Sequence, residues 1–162
     1  MNSKIILFSL VAFCSTSGIM AQTGLSGSWV FSDQQSISGK LYSNGSPKSV
    51  TIVGDNQSFS ISKVISEKDS DLLVKESWTV DGKPFSALTP SGRKKISTAR
   101  WSADKKTFSE VTSIFDAADP TKLLYVIKDS WSLEFGSLVL DRKAEDHTNG
   151  ENWESKAIYD RQ

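Results

Sequence analysis

The chain has 162 residues, of which 19 are basic and 19 acidic, so its formal net charge is zero at pH 7. A neutral chain without a basic run offers no electrostatic footprint for nucleic acid or for an anionic membrane surface. Its one histidine and one cysteine exclude an internal disulfide and cannot complete a zinc site.

The first 21 residues are predicted to be a signal peptide. Lys4 is the only charge before residue 33, and the apolar run Ile5–Phe13 has the length of a signal-peptide core, too short for a membrane span. Cleavage after Ala21 would remove the single cysteine and leave one domain, residues 22–162. The sequence therefore predicts an exported protein, periplasmic or secreted, with no transmembrane segment in the mature chain.

The remaining sequence alternates between apolar and polar residues, with turn-forming residues at intervals of about ten, which is typical of β-strands. Two polar stretches, residues 32–47 and 89–94, are predicted to be exposed loops. Ten strands are predicted, at residues 27–32, 48–53, 58–65, 72–80, 83–88, 95–102, 107–115, 123–133, 137–144 and 153–161.

One phrase occurs twice, as ESWTVDGKPFS from residue 76 and as ARWSADKKTFS from residue 99. Each copy has a turn signal at its centre, Asp-Gly in the first and Asp-Lys in the second, so each is predicted to form a hairpin. Residues that face each other in a hairpin have a constant number sum, which places Trp78 opposite Phe85 and Trp101 opposite Phe108. Such cross-strand aromatic pairs help to set the register.

A third hairpin is predicted to turn at Phe135-Gly136, where Trp131 faces Leu140. The same register places Arg142 opposite Asp129. An unpaired carboxylate inside an apolar barrel would be costly, so these two residues are predicted to form a cross-strand ion pair.

A fourth hairpin carries no strong turn signal, but it would place Val50 opposite Ile61 and Ile52 opposite Phe59. Successive hairpins joined by short turns make an antiparallel meander. About eight to ten such strands usually close into a barrel, because closure removes the exposed sheet edges. The predicted fold class is therefore all-β, an up-and-down barrel.

The tripeptide Gly27-Ser28-Trp29, at the start of the first predicted strand, resembles the Gly-x-Trp motif of lipocalins. The exported meander also resembles bacterial lipocalin-like, calycin-type domains. The resemblance implies that Trp29 closes one barrel end beneath an arginine from a late strand, here Arg161. The chain departs from the family in lacking a Thr-Asp-Tyr motif and a C-terminal helix pattern. The family's role, holding a small apolar molecule inside the barrel, is implied together with the architecture.

Three acidic residues recur in phase with apolar ones, and strand alternation places Glu76, Glu110 and Asp129 on the interior face. In the predicted hairpins Glu76 would face Ala87 and Glu110 would face Ala99, so neither acid has a partner in its own hairpin.

One interpretation is that these acids and neighbouring aromatic residues line a ligand cavity, in which Arg142 orients a carboxylate or another polar head group. The alternative is an internal ion-pair network or a water-filled lumen in a barrel that holds no ligand. The candidate ligand-binding residues are Glu76, Trp78, Trp101, Glu110, Tyr125, Asp129, Trp131 and Arg142.

No catalytic residue, metal or cofactor is predicted. His147 lies in the polar stretch EDHTNGEN, and the sequence has neither a Gly-x-Ser-x-Gly elbow nor a phosphate-cradling glycine loop. The acidic stretches 66–71 and 116–119 lack the spacing of an EF-hand calcium loop.

The sequence thus favours an exported barrel that binds a small, partly apolar molecule non-catalytically. A filled barrel that acts through its outer surface is the first alternative. A small barrel enzyme, an isomerase or hydrolase using one of the three acids, is the second. A binder would have a cavity of about 300 Å³ or more with Arg142 or Glu76 on its wall.

Overall fold

The structure is a computed structural model that describes residues 24–38, 46–55, 57–67 and 70–162. Every regular element within these ranges is a β-strand. The predicted signal peptide, residues 1–21, lies outside the described residues, so its cleavage and the boundary of the mature domain stay predictions.

The strands form one antiparallel sheet with the order β4-β3-β2-β1-β10-β9-β8-β7-β6-β5. Pairing of β1 with β10 brings the two ends of the meander together, and in the described chain the edge strands β4 and β5 share no hydrogen-bonded ladder, so the barrel is nearly closed. The predicted up-and-down β-barrel is therefore confirmed. The strands are β1 Gly27–Ser38, β2 Ser49–Gly54, β3 Ser58–Glu67, β4 Ser70–Thr79, β5 Phe85–Leu88, β6 Lys94–Trp101, β7 Phe108–Phe115, β8 Leu123–Glu134, β9 Ser137–Asp146 and β10 Asn152–Arg161.

The first strand is longer than predicted, because β1 continues to Ser38 through part of the stretch expected to be a loop. It pairs with β10 from Trp29 opposite Arg161 to Ser38 opposite Glu154, with two register shifts. Strand β10 needs a partner along its length for the barrel to close. This pairing outweighs the polar composition, since strand formation depends strongly on neighbouring strands.

The second and third predicted hairpins are confirmed. Trp101 lies opposite Phe108 in the β6–β7 pair. In the β8–β9 pair Trp131 lies opposite Leu140, and the same register places Arg142 opposite Asp129. Both turns are short, so the turn position alone determines which residues meet.

The first predicted hairpin is wrong: β4 and β5 do not pair, and Trp78 lies opposite Phe59 on β3 instead of Phe85. The Asp81 carboxylate caps its own turn by accepting a hydrogen bond from the Lys83 amide at 3.0 Å. The Gly82 amide donates to the carbonyl of Ala99 on β6 at 3.2 Å. The Asp-Gly dipeptide therefore makes a turn, but this turn connects the two edge strands β4 and β5, which stay unpaired and leave an open seam between them.

The fourth predicted hairpin is formed with a register two residues away from the expected one. Ile52, not Val50, lies opposite Ile61, and Val50 lies opposite Lys63. A shift of two residues keeps every side chain on its predicted face, because side chains alternate with a period of two.

One half of the barrel interior is filled with aromatic rings, and we call this half the packed end. Phe59 and Phe108 are fully buried and stack with their ring centroids 3.6 Å apart. Trp78 and Trp101 pack around this pair. The remaining large buried side chains of the packed end include Trp29, Trp131, Tyr159, Ile52, Ile61, Leu138 and Leu140.

Candidate functional site

Beyond the packed end the interior contains a cavity of about 230 Å³. On one side it is bounded by six ionisable side chains, here called the charged layer: Lys63, Glu76, Lys95, Glu110, Asp129 and Arg142. Its other walls are mostly apolar and come from Pro47, Ile65, Val74, Pro90, Ile114 and Ile127, together with the hydroxyl residues Thr89 and Thr112.

The structure confirms the predicted ion pair between Asp129 and Arg142. Arg142 donates from Nε to Asp129 Oδ1 at 2.7 Å and from Nη2 to Oδ2 at 2.6 Å, a bidentate arrangement. The Asp129 residue is only 4% exposed. Because both carboxylate oxygens accept charge-assisted bonds, this pair is a neutral unit on the cavity wall.

Glu76 binds two lysines at once. Its Oε2 accepts a hydrogen bond from Lys63 Nζ at 2.7 Å, and its Oε1 accepts one from Lys95 Nζ. Burial opposes the charge of this carboxylate, but the two ammonium groups outweigh burial and lower its pKa to about 2. The Lys95 contact reaches from β6 to β4, so it bridges the seam that the backbone leaves open.

Lys63 lies at the centre of the charged layer. Burial by itself lowers the pKa of its ammonium group, but the charges of Glu76, Glu110 and Asp129 outweigh burial and hold the pKa above its ordinary value. The ammonium also lies 5.8 Å from the centroid of the Trp78 ring. Lys63 therefore stays charged although it is almost fully buried.

Glu110 differs from the other two acids, because it forms no salt bridge with any described residue. Its Oε1 accepts a hydrogen bond from the Thr112 hydroxyl at 2.7 Å, and that hydroxyl lies 2.6 Å from the Ser97 hydroxyl. Glu110 is 5% exposed, and burial raises its pKa; the charges of Asp129 and Glu76 add to this, while Lys63 opposes it.

The sequence-predicted ligand residues separate into two groups. Glu76, Glu110, Asp129 and Arg142 meet on the cavity wall, whereas Trp101 and Trp131 do not line the cavity. These two indoles belong to the packed end, because they lie nearer than the cavity-lining residues to the C-terminal ends of β6 and β8.

Trp78 belongs to the packed end, where it is buried, and it also lines a groove along the seam. Tyr125 is half-buried on β8 opposite Asp146 and does not line the cavity. His147 is exposed in the turn after β9, 3.9 Å from the surface residue Glu145.

Sequence reasoning missed the two lysines of the charged layer. Lys63 follows Phe59 and Ile61 in phase, and Lys95 precedes Ala99 and Trp101 in phase. The alternation that places the three acids on the interior face therefore also places Lys63 and Lys95 there.

The groove along the β4–β5 seam has a volume of about 430 Å³. It shares Val74, Glu76, Thr89, Pro90 and Lys95 with the cavity walls. The cavity and the groove therefore border the same side chains, including the Glu76–Lys95 contact.

Trp29 closes the packed end in the arrangement that the lipocalin resemblance implies. The Arg161 guanidinium carbon lies 4.8 Å from the centroid of the indole, and its Nη2 donates to the Ser26 carbonyl at 3.1 Å. The indole Nε1 donates to the Leu25 carbonyl at 3.0 Å. Trp29 and Arg161 thus have a structural position, away from the cavity.

Within residues 24–38, 46–55, 57–67 and 70–162, no helix is long and apolar enough to cross a membrane. No group of three or more His, Cys, Asp or Glu in those ranges is arranged to hold a metal ion.

No family model matches this sequence, and no curated protein is significantly similar to it. Among solved structures, the crystal structure of zebrafish ileal bile acid-binding protein complexed with cholic acid is similar, with a TM-score of 0.54. The two chains are 14% identical, and the similarity covers 85% of this chain and 98% of that chain. At this identity the comparison shows the fold alone, an up-and-down β-barrel.

Proposed function

We propose that this protein binds a small, partly apolar molecule in its cavity without transforming it. The observation that carries the proposal is the amphipathic lining, with the charged layer on one side and apolar walls on the other. Such a lining suits a ligand with a polar head group and an apolar body. The zebrafish protein with the same fold was solved with cholic acid, which is a precedent for a small-molecule ligand of such a barrel.

The size of the cavity restricts the ligand. Arg142 and Glu76 line the cavity as expected for a binder, but its volume of about 230 Å³ falls short of the expected volume of about 300 Å³, the lower end for drug-sized ligands. Aromatic rings fill the packed end, so a ligand cannot extend in that direction. A larger molecule would have to extend through the seam into the groove. The proposed ligand is therefore a short amphiphile, or a longer one whose tail lies between β4 and β5.

A cavity-filling variant tests the proposal. Ile127 lines the cavity, so Ile127→Trp should occupy the space of the ligand. Isothermal titration calorimetry with octanoate and with cholate would measure binding. We expect the native chain to bind at least one of them and the variant to bind at least tenfold more weakly.

Val111→Trp is the matched control, because Val111 lies outside the cavity, 37% exposed on the outer face of β7. This variant should bind like the native chain. Equal binding by all three proteins would place the ligand elsewhere on the molecule, and absence of any binding would contradict the proposed function.

We further propose that the protein is exported, on the strength of the apolar segment Ile5–Phe13 and the small residues before Gln22. Intact-mass measurement of the protein from the periplasmic and extracellular fractions tests this. We expect a mass that lacks the first 21 residues. An uncleaved chain confined to the cytoplasm would refute export and leave the binding proposal unaffected.

A further inference from the structure

The ionisable side chains of the charged layer do not all form one-to-one pairs of opposite charge. Asp129 and Arg142 form a neutral unit. Glu76 is shared by Lys63 and Lys95, so this group of three carries one excess positive charge. The buried carboxyl of Glu110, which pairs with no cation among the described residues, supplies the compensating negative charge only while it is ionised.

The groups that face Glu110 come from several strands, and their charges decide which form it takes. Asp129 lies directly opposite it on β8. Among the described residues, its charged or titratable neighbours in the charged layer and beside it are Lys63 on β3, Glu76 on β4, Lys95 on β6, Asp129 on β8, Arg142 on β9 and Tyr159 on β10.

The hydroxyl chain beside Glu110 accommodates both of its protonation states. When the carboxyl is ionised, Thr112 donates to it and Ser97 donates to Thr112. When the carboxyl is protonated, it can itself donate, and Thr112 can accept, because a hydroxyl both donates and accepts. Neutralising Glu110 therefore leaves neither its own carboxyl nor the hydroxyls of Thr112 and Ser97 without a hydrogen-bond partner.

On the basis of the proposed function, we propose that the ligand's head group is an anion seated beside Lys63, and that Glu110 takes up one proton as the anion enters. The anion then satisfies the excess positive charge of the Lys63, Lys95 and Glu76 group. The protonated Glu110 no longer repels the anion and is able to donate a hydrogen bond to it.

A cationic head group is disfavoured, because Lys63 and Glu110 differ in how readily they lose their charge. An ammonium ligand would pair with ionised Glu110, but it would have to lie next to Lys63, which three carboxylates hold in its charged form. Burial and two neighbouring acids push Glu110 towards its neutral form. The site therefore loses its negative charge more readily than its positive charge.

The test compares probes that share an eight-carbon chain and differ in head group: octanoate, octanesulfonate, 1-octanol and octylamine. Calorimetry between pH 6 and pH 9, in buffers with different ionisation enthalpies, counts the protons exchanged on binding. We expect octanoate and octanesulfonate to bind at least tenfold more tightly than octanol or octylamine, with uptake of close to one proton. Above the pKa of Glu110 the affinity should fall about tenfold per pH unit.

Glu110→Gln should abolish the proton uptake and the pH dependence while keeping the preference for anions, and above the pKa it should bind octanoate more tightly than the native chain does. Glu145→Gln, at an exposed pair on the outer surface, is the matched control and should behave like the native chain. If Glu110→Gln does not fold, the number of protons that the native chain takes up on binding still tests the inference.

Several outcomes would overturn the inference. Anion binding without proton uptake would do so, as would uptake with octanoate but not with octanesulfonate, since the proton would then go to the ligand. Tighter binding of octylamine would reverse the polarity. Equal binding of octanol would refute the anion site but support the proposed function, whereas failure of all four probes and of cholate would contradict both.

Discussion

At the residue scale, the charged layer has a different energetic role from the packed end. Removing two ions from water costs several kcal/mol each, and their attraction offsets this only when the geometry is good. The bidentate Asp129–Arg142 contact meets that condition. Loss of one partner alone would therefore be costly, because the other ion would stay buried without its counter-charge.

Asp129→Ala should lower the free energy of unfolding by about 3–5 kcal/mol, because the buried Arg142 would lose its bidentate carboxylate. Urea denaturation measures the change. In the double variant Asp129→Leu with Arg142→Met, which replaces the pair by apolar groups of similar size, most of this loss should be recovered. A double variant as unstable as the single one would contradict this account.

The stability of the fold should also depend on pH through Glu76. Its pKa is about 2 in the folded chain, against an ordinary value of 4.5. The stabilisation is therefore complete above pH 4.5 and is lost as the pH falls towards 2, a change of about 3 kcal/mol. Glu110 has a raised pKa, so its contribution has the opposite sign and declines as the pH rises above 4.5.

Glu76→Gln should remove this acid-side loss. Urea denaturation at pH 5 and pH 3 should show a smaller difference between the two conditions for the variant than for the native chain. The exposed Glu145→Gln should leave the native difference almost unchanged. If the two variants behave alike, the ion pairs of Glu76 with the lysines do not govern the acid-side stability.

At the scale of single elements, turns determine the register where strands meet directly. The β8–β9 turn consists of Phe135 and Gly136, and both have positive φ angles, 52° and 91°. This geometry matches the right-handed twist of a two-residue hairpin, but it is unfavourable for a phenylalanine. The ring of Phe135 is fully exposed, so no packing compensates for the backbone strain.

Phe135→Asn should therefore raise the free energy of unfolding by about 1 kcal/mol, because asparagine tolerates the left-handed conformation. Thermal or urea denaturation checks this. The comparison variant Leu88→Asn replaces another exposed apolar residue, but one in a strand, and should give no gain. A loss of stability in Phe135→Asn would indicate that the exposed ring has a packing role.

At the scale of the whole molecule, the packed end and the cavity occupy different parts of the barrel interior. The packed end contains the stacked Phe59 and Phe108 rings and has no room for a ligand. The other end keeps a cavity beside an unpaired seam. The same sheet thus surrounds a fully packed core and a cavity that borders its open seam.

Substitutions at the two ends should differ accordingly. Phe108→Ala should cost about 3–5 kcal/mol, since it empties a fully buried position. Ile127→Ala should cost less than half as much, because that side chain already borders empty space. Denaturation of both variants under one set of conditions tests the division. Equal losses would mean that the cavity wall is as well packed as the core.

The sequence by itself determined the all-β class, the ten strands, the inward face of each stripe and the Asp129–Arg142 pair. These depend on alternation and on short turns, which are local properties of the chain. Only the tertiary structure decided that β4 and β5 stay apart, that Trp101 and Trp131 lie below the cavity, and that Lys63 and Lys95 share Glu76. The reason is physical: contacts across a closed barrel depend on strand order and on height along the axis, and neither is set by residues close in sequence.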